Sequence, residues 1–156
     1  MRLLLGFVLS FMLFVTGPAL ANKTEITDAT SKFYAALNTM FKGNVQPMKD
    51  LWSHSSDVTY MGPDGTFQIG WDQVEKEWLG QAAAKLGGEV RPTQIKTVIG
   101  SDLAIVYCIE AGENIVNGKK ETVQIRSSTA FRKEGKIWKV VGHQTDMLEF
   151  LKNKKK

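Results

Sequence analysis

The sequence predicts an α+β domain in which about three helices precede a long antiparallel meander. Three observations carry this. Apolar residues recur at helical spacing in the first half, alternation at period two takes over from about residue 93, and short Gly-containing turns separate the later segments.

The elements follow in order. Thr27 or Asp28 is placed to cap a helix over 28–42, where Phe33, Leu37 and Phe41 recur every four residues beside Tyr34 and Met40. Gly43 ends it. Pro47 in a first turn marks a second short helix over 47–52. Residues 57–61 read as a strand, Gly62-Pro63-Asp64-Gly65 as a turn, and 66–69 as the returning strand. Asp72 is placed to cap a third helix over 73–86, stopped by Gly87-Gly88. Strands follow over 93–99, 103–110, 121–132 and 137–143. Their turns are Gly100-Ser101-Asp102, Asn117-Gly118 and Glu134-Gly135. In the 93–99 strand, Ile95, Thr97 and Ile99 share a side. Thr145 or Asp146 then caps a final short helix through Met147, Leu148, Phe150 and Leu151. The helices are expected to cover one face of a twisted sheet. Apolar residues on the other face call for a second subunit.

Composition narrows the class. Arg2, an apolar run over 3–15, Thr16-Gly17-Pro18 and Ala19-Leu20-Ala21 form a secretory signal peptide pattern over 1–21, with the mature chain starting at Asn22. The apolar run is short for a membrane span, so no stable anchor is expected after cleavage. The expected location is periplasmic or secreted. Residues 22–151 form one domain, and 152–156 a basic tail. Formal net charge is +4, much of it in that tail, so no nucleic-acid partner is expected. Cys108 is the single cysteine. It lies in an apolar run, which predicts a buried, unreactive thiol rather than a disulfide or a nucleophile.

There is no phosphate-binding glycine loop, zinc helix or nucleophile elbow. His54 and His143 are the only histidines, too few for a zinc site of the usual kind, and no metal or other cofactor is expected. Instead the strands carry polar residues that need partners: Arg126, His143, Gln144 and Asp146. Arg126 is suited either to a ligand's anionic or carbonyl group or to an ion pair with Glu110 or Asp146. His143 has a reference pKa suited to general-base chemistry. Tyr34, Trp52, Tyr60, Trp78 and Tyr107, with Trp71, offer apolar walls with polar handles and suit a pocket for a small amphipathic molecule. Strict alternation puts Trp138, Val140, Gly142 and Gln144 on one face and Lys139, Val141 and His143 on the other. Only one of His143 and Gln144 then enters a cavity, and the alternation favours Gln144. Register is open, because a slip of one residue reverses the faces.

Three segments carry a resemblance. They are Phe33-Tyr34-Ala35-Ala36-Leu37-Asn38; the stretch from Leu51-Trp52 through Asp57-Val58-Thr59-Tyr60-Met61-Gly62-Pro63-Asp64-Gly65 to Gly70-Trp71; and the stretch from Arg126 to Asp146. In order and spacing they resemble the SnoaL-like branch of the nuclear transport factor 2-like (ketosteroid isomerase-like) superfamily. The resemblance implies a cone-shaped, barrel-like curved sheet wrapped around the helices, an internal cavity, and commonly a homodimer through the outer sheet face. The superfamily spans isomerases, cyclases, dehydratases and non-catalytic modules, so fold leaves function open. Ketosteroid isomerases use a Tyr and two acids. Tyr34 stands at the Tyr, but the acid positions fall near Met61-Gly62 and near Ser127, where no carboxyl stands.

The functional expectation is an exported domain that binds a small, partly apolar ligand with a polar or carbonyl group. Its pocket is expected to draw on Tyr34, Trp52, Tyr60, Trp78, Tyr107, Arg126 and Gln144. The alternative is an isomerase-, cyclase- or dehydratase-type enzyme using His143, Arg126 and Tyr34. A further alternative is an oligomerisation or accessory module.

Overall fold

The computed structural model describes residues 18–152, with side chains from 22 to 151. The expected leader over 1–21 and tail over 152–156 lie outside the residues described at side-chain level.

Helix α1 (Pro18–Met40) begins ahead of the expected caps. Thr27 and Asp28 therefore lie inside it. Thr27 Oγ1 donates back to the Lys23 carbonyl (2.9 Å), a bond open to any mid-helix threonine. The stripe of Ile26, Phe33, Leu37 and Met40 is buried, and Gly43 leaves the helix at φ +100°. Helix α2 (Gln46–Leu51) buries Met48. Strands β1 (Thr59–Met61) and β2 (Phe67–Ile69) form a short hairpin. Helix α3 (Trp71–Ala84) starts from Gly70, so Asp72 stands in its first turn instead of capping it. A left-handed Lys85 closes the helix two residues short of the glycine pair.

The meander is β3 (Glu89–Ile99), β4 (Leu103–Val116), β5 (Lys119–Glu134) and β6 (Ile137–Thr145). Asn117-Gly118 turns β4 into β5 with positive φ at both residues, which is what a two-residue hairpin of that twist requires. The sheet runs β2-β1-β6-β5-β4-β3 and stays open, with β2 and β3 at its edges. All neighbours are antiparallel except β1 and β6, which run parallel and set Tyr60 beside His143. A short helix α4 (Glu149–Lys152) follows. Thr145 ends β6 and Asp146 engages Arg126, so neither caps α4.

Side-chain parity fixes what the helices cover. On β4, Ala104, Val106, Cys108, Glu110 and Asn114 are buried toward the helices; on β5, Val123, Ile125, Ser127, Thr129 and Phe131 are. On β6 strict alternation fails. Phe131 faces Val140 and Ala130 faces Gly142, leaving Val141 as an extra residue. This bulge resets the parity, so Trp138 and Val140 point inward and then His143 does too. The face assignment expected for His143 and Gln144 is therefore reversed. A second irregularity between Thr93 and Lys96, with Gln94 at φ +52°, puts Ile95 outside while Thr97 and Ile99 stay opposite Val106 and Ala104.

The core is aromatic. Trp52, Trp78, Tyr60, Phe33 and Phe131 are fully buried. Trp52 and Trp78 pack with ring centroids 5.5 Å apart, and Trp78 and Tyr60 at 4.3 Å. The first end of α1 is fixed by Glu25, whose carboxylate accepts from Trp138 Nε1 (2.7 Å) and Lys133 Nζ (3.0 Å). No helix among the described residues is long and apolar enough to cross a membrane.

Candidate functional site

A cavity of about 320 Å³ lies between the sheet and the helices. α1 gives Leu37, the turn after it Phe41, β1 gives Tyr60, α3 gives Trp78 and Gln81, and the sheet gives Glu110, Ile125 and His143. The turn after β1 gives Pro63 and Asp64, while Leu148 and Leu151 close in from the chain end. Leu148 is held there by its backbone N–H, which donates to the Pro63 carbonyl (2.7 Å). Half-buried Asp64 and Glu77 with exposed Gly80 and Ala84 mark the open end. Gly62 is needed behind this wall. A Cβ there would meet the Tyr60 hydroxyl at 2.8 Å.

The deep end is polar. Glu110 is 4% exposed. Its Oε1 accepts from the Tyr34 hydroxyl (3.0 Å) and lies 3.4 Å from His143 Nε2. Tyr34 Oη also contacts Cys108 Sγ (3.0 Å) and Ser127 Oγ (3.4 Å), and these two lie 3.1 Å apart. His143 Nδ1 lies 3.0 Å from Thr129 Oγ1, and its ring packs on Phe33 at 4.8 Å.

Burial sets the protonation. It lifts the Glu110 carboxyl to about 7, opposed by the hydrogen bonds of Tyr34 and Ser127. It pushes His143 down to about 3. It also raises Tyr34, Tyr60 and Cys108, so their phenol and thiol protons stay in place at neutral pH. The 3.4 Å approach of Glu110 and His143 is consequently not an ion pair at neutral pH. An ionised Glu110 requires the Nε2–H tautomer, with Nδ1 accepting from Thr129. A protonated Glu110 permits the reverse. The floor thus holds a carboxyl poised near neutrality beside a neutral imidazole, able to donate or accept one proton.

Of the residues singled out by sequence, Tyr60, Trp78 and His143 line this cavity. Tyr34 stands behind Glu110, and Trp52 packs in the core beside Trp78. Tyr107, Arg126 and Gln144 lie on the outer face, where they are exposed. Tyr107 is out because it alternates with the inward Val106 and Cys108, Arg126 because it alternates with Ile125 and Ser127, and Gln144 because of the Val141 bulge. Arg126 makes a bidentate pair with Asp146, both bonds at 2.8 Å, which is its structural reading. His54 stacks on Trp71 at 4.1 Å and does not line the cavity. Among the described residues no group of three His, Cys, Asp or Glu is arranged to hold a metal ion.

Glu110 was missed as a site residue. The signal was present: Ala104, Val106, Cys108 and Glu110 are spaced by two, so a buried Cys108 puts Glu110 on the same inner face. Ser127, at one of the two positions without a carboxyl, lies on β5 beside β4, and Glu110 of β4 accepts there from Tyr34 (3.0 Å).

The profile of the SnoaL-like domain family matches residues 26–148. The chain belongs to that family. Solved structures agree with this SnoaL-like domain in fold. A proposed dehydratase of the nuclear transport factor 2-like family from Streptomyces avermitilis aligns with a TM-score of 0.72 at 17% identity, covering 82% of this chain and 97% of that one. A nuclear transport factor 2-like superfamily protein from Salmonella enterica aligns at 0.72 and 16% identity, covering 83% and 92%. The association domain of the C. elegans calcium/calmodulin-dependent protein kinase II aligns at 0.61 and 17% identity, covering 81% and 98%. At these identities the likeness to this SnoaL-like domain is one of fold alone. No curated protein sequence matches the chain.

Proposed function

We propose that this SnoaL-like domain is an exported, homodimeric small-molecule-binding protein, periplasmic or secreted, whose cavity takes a partly apolar ligand with one polar group. The observation that carries the reading is an apolar-walled cavity of about 320 Å³ with the Glu110–His143 pair at its floor. The aliphatic and aromatic walls supply binding energy, and the buried polar pair fixes orientation. Export rests on the leader pattern over 1–21. Dimerisation is favoured by exposed Ile95, Val98, Leu103 and Tyr107 on the outer sheet face.

The test is native mass spectrometry of the protein purified from the exported compartment, with sequencing of its N-terminus. A dimer starting at Asn22 and carrying a discrete extra mass is expected. A protein that keeps its leader, or that stays empty when offered extracts of its own cells, would sink the corresponding part.

One observation favours a second, enzymatic reading. A carboxyl near 7 with a phenol and an imidazole in reach suits proton transfer to or from a carbonyl compound, as an isomerase or dehydratase requires. Turnover abolished by Glu110→Gln and by His143→Ala, with melting behaviour preserved, would establish it. Unchanged turnover in both variants would remove Glu110 and His143 from the chemistry, and no turnover in the parent protein would remove the reading.

A further inference from the structure

We propose that the polar group of the ligand is a protonated amine: the cavity takes an apolar amine and selects against carboxylates and phosphates of the same shape. This rests on the binding reading above and narrows it.

The charge of the lining carries the inference. Among the described lining residues the ionisable side chains are the carboxyls of Asp64, Glu77 and Glu110, the imidazole of His143 and the phenol of Tyr60, with no lysine or arginine. Arg126, the residue that sequence offered for an anionic group, is on the outer face and committed to Asp146. An anionic ligand would therefore enter with no countercharge and would pass carboxylates at the open end before meeting a third at the floor. Burying an unpaired charge in that setting is strongly unfavourable.

A cation meets the opposite conditions. Glu77 is half-buried at the open end. It accepts a hydrogen bond from Gln81 (3.3 Å) and has no ion-pair partner among the described residues. Asp64 is held in position by two bonds from Thr66, from the backbone N–H (3.0 Å) and the hydroxyl (2.7 Å). Glu110 is ready to ionise when a positive group replaces the water it lost on burial. The rings of Phe41, Tyr60 and Trp78 along the wall suit both a hydrocarbon body and a cation over an aromatic face. A neutral alcohol or ketone would satisfy the floor but make no use of the carboxylates at the entrance.

The test uses three probes with one phenylbutyl body, namely phenylbutylamine, phenylbutanol and phenylbutyrate, titrated calorimetrically into the full mature protein at neutral pH. The amine is expected to bind about tenfold tighter than the alcohol, the margin of a charge-assisted over a neutral hydrogen bond, with the carboxylate weakest. Glu110→Gln is expected to shrink the amine-to-alcohol ratio toward one. Should that buried variant fold poorly, Glu77→Gln, on a half-exposed helix position, is expected to reduce the same ratio and its sensitivity to salt. An alcohol or carboxylate that binds as tightly as the amine overturns the amine inference and leaves the binding reading standing. So does a ratio that neither variant changes. Failure of all three probes to bind overturns both.

Discussion

The inner and outer faces of strands β4, β5 and β6 come from the same short stretches of sequence and differ by single residue steps, yet they follow different chemistry. Inside, Glu110, Tyr34, Ser127, Thr129 and His143 satisfy one another in a closed network, with carboxyl and imidazole both pushed toward neutrality by burial. Outside, Arg126 and Asp146 stay charged. Each strengthens the other's charged form. A carboxyl is thus lifted toward its neutral form on one face and held ionised in a pair on the other. For the two carboxyls, burial on one side and the Arg126 hydrogen bonds on the other decide which. Of Glu110, His143, Arg126 and Asp146, only Glu110, on the inner face, titrates near neutral pH.

Variants can break this contrast, starting with the core. Phe131→Ala on the inner face is expected to cost about 3–5 kcal/mol, read as a shift of the denaturation midpoint at constant slope. A loss below 1 kcal/mol, on the same scale, would mean the inner face is not packed as described.

The second test is pH. Glu110 is raised from 4.5 to about 7 and His143 lowered from 6.5 to about 3. The folded pair therefore holds one proton between about 3 and 7, and the unfolded pair one between 4.5 and 6.5. In the shared window the two contributions cancel and the pair leaves stability flat. Below 4.5 the unfolded chain binds the extra proton, and stability falls as pH drops toward 3, on the order of 2 kcal/mol. Above 6.5 the folded state alone retains a proton, so stability declines slightly as pH rises through 7. Glu110→Gln removes the compensation. His143 then acts alone, and its stabilising contribution is expected to fade from pH 6.5 downward. Denaturation midpoints of both proteins across this range check it. Parallel curves would count against the shared proton.

A smaller effect is expected for Tyr34→Phe. Losing the hydrogen bond that holds Glu110 down raises its titration further and costs about 1 kcal/mol. The carboxyl infrared band reports the titration. A downward shift would contradict the assigned bond. Least of all, Arg126→Ala should leave the midpoint unchanged within error, as exposed ion pairs usually do. A marked loss would place Arg126 itself inside the proposed subunit interface rather than beside it.

Much of the scaffold was legible. Phe33, Leu37 and Met40 announced α1, Asn117-Gly118 its hairpin, and Cys108 its own burial. What was not legible depends on the backbone skipping a beat. Val141 looks like any alternating strand residue, and only its pairing opposite β5 reveals that two residues face one. That single extra residue transfers His143 to the cavity and Gln144 to the surface. Glu110 was obscured for another reason. A carboxylate in an apolar run normally reads as the strand's solvent side, and its burial becomes sensible only once α1 brings Tyr34 to meet it. The caps failed similarly: Thr27 and Asp28 are good helix starters in isolation, but Glu25 anchored on Trp138 keeps the helix going past them.

Strand β3 ends the open sheet, so its outer hydrogen-bonding groups are available to any passing extended chain. At Val90 they are not: the Asn38 side chain donates to the carbonyl (2.9 Å) and accepts from the N–H (2.9 Å), as a neighbouring strand would. One amide on α1 thus impersonates a seventh strand at that position. It denies the site to fibril-type addition, and replacing it by leucine would leave an unpaired, adhesive border at the edge of the sheet.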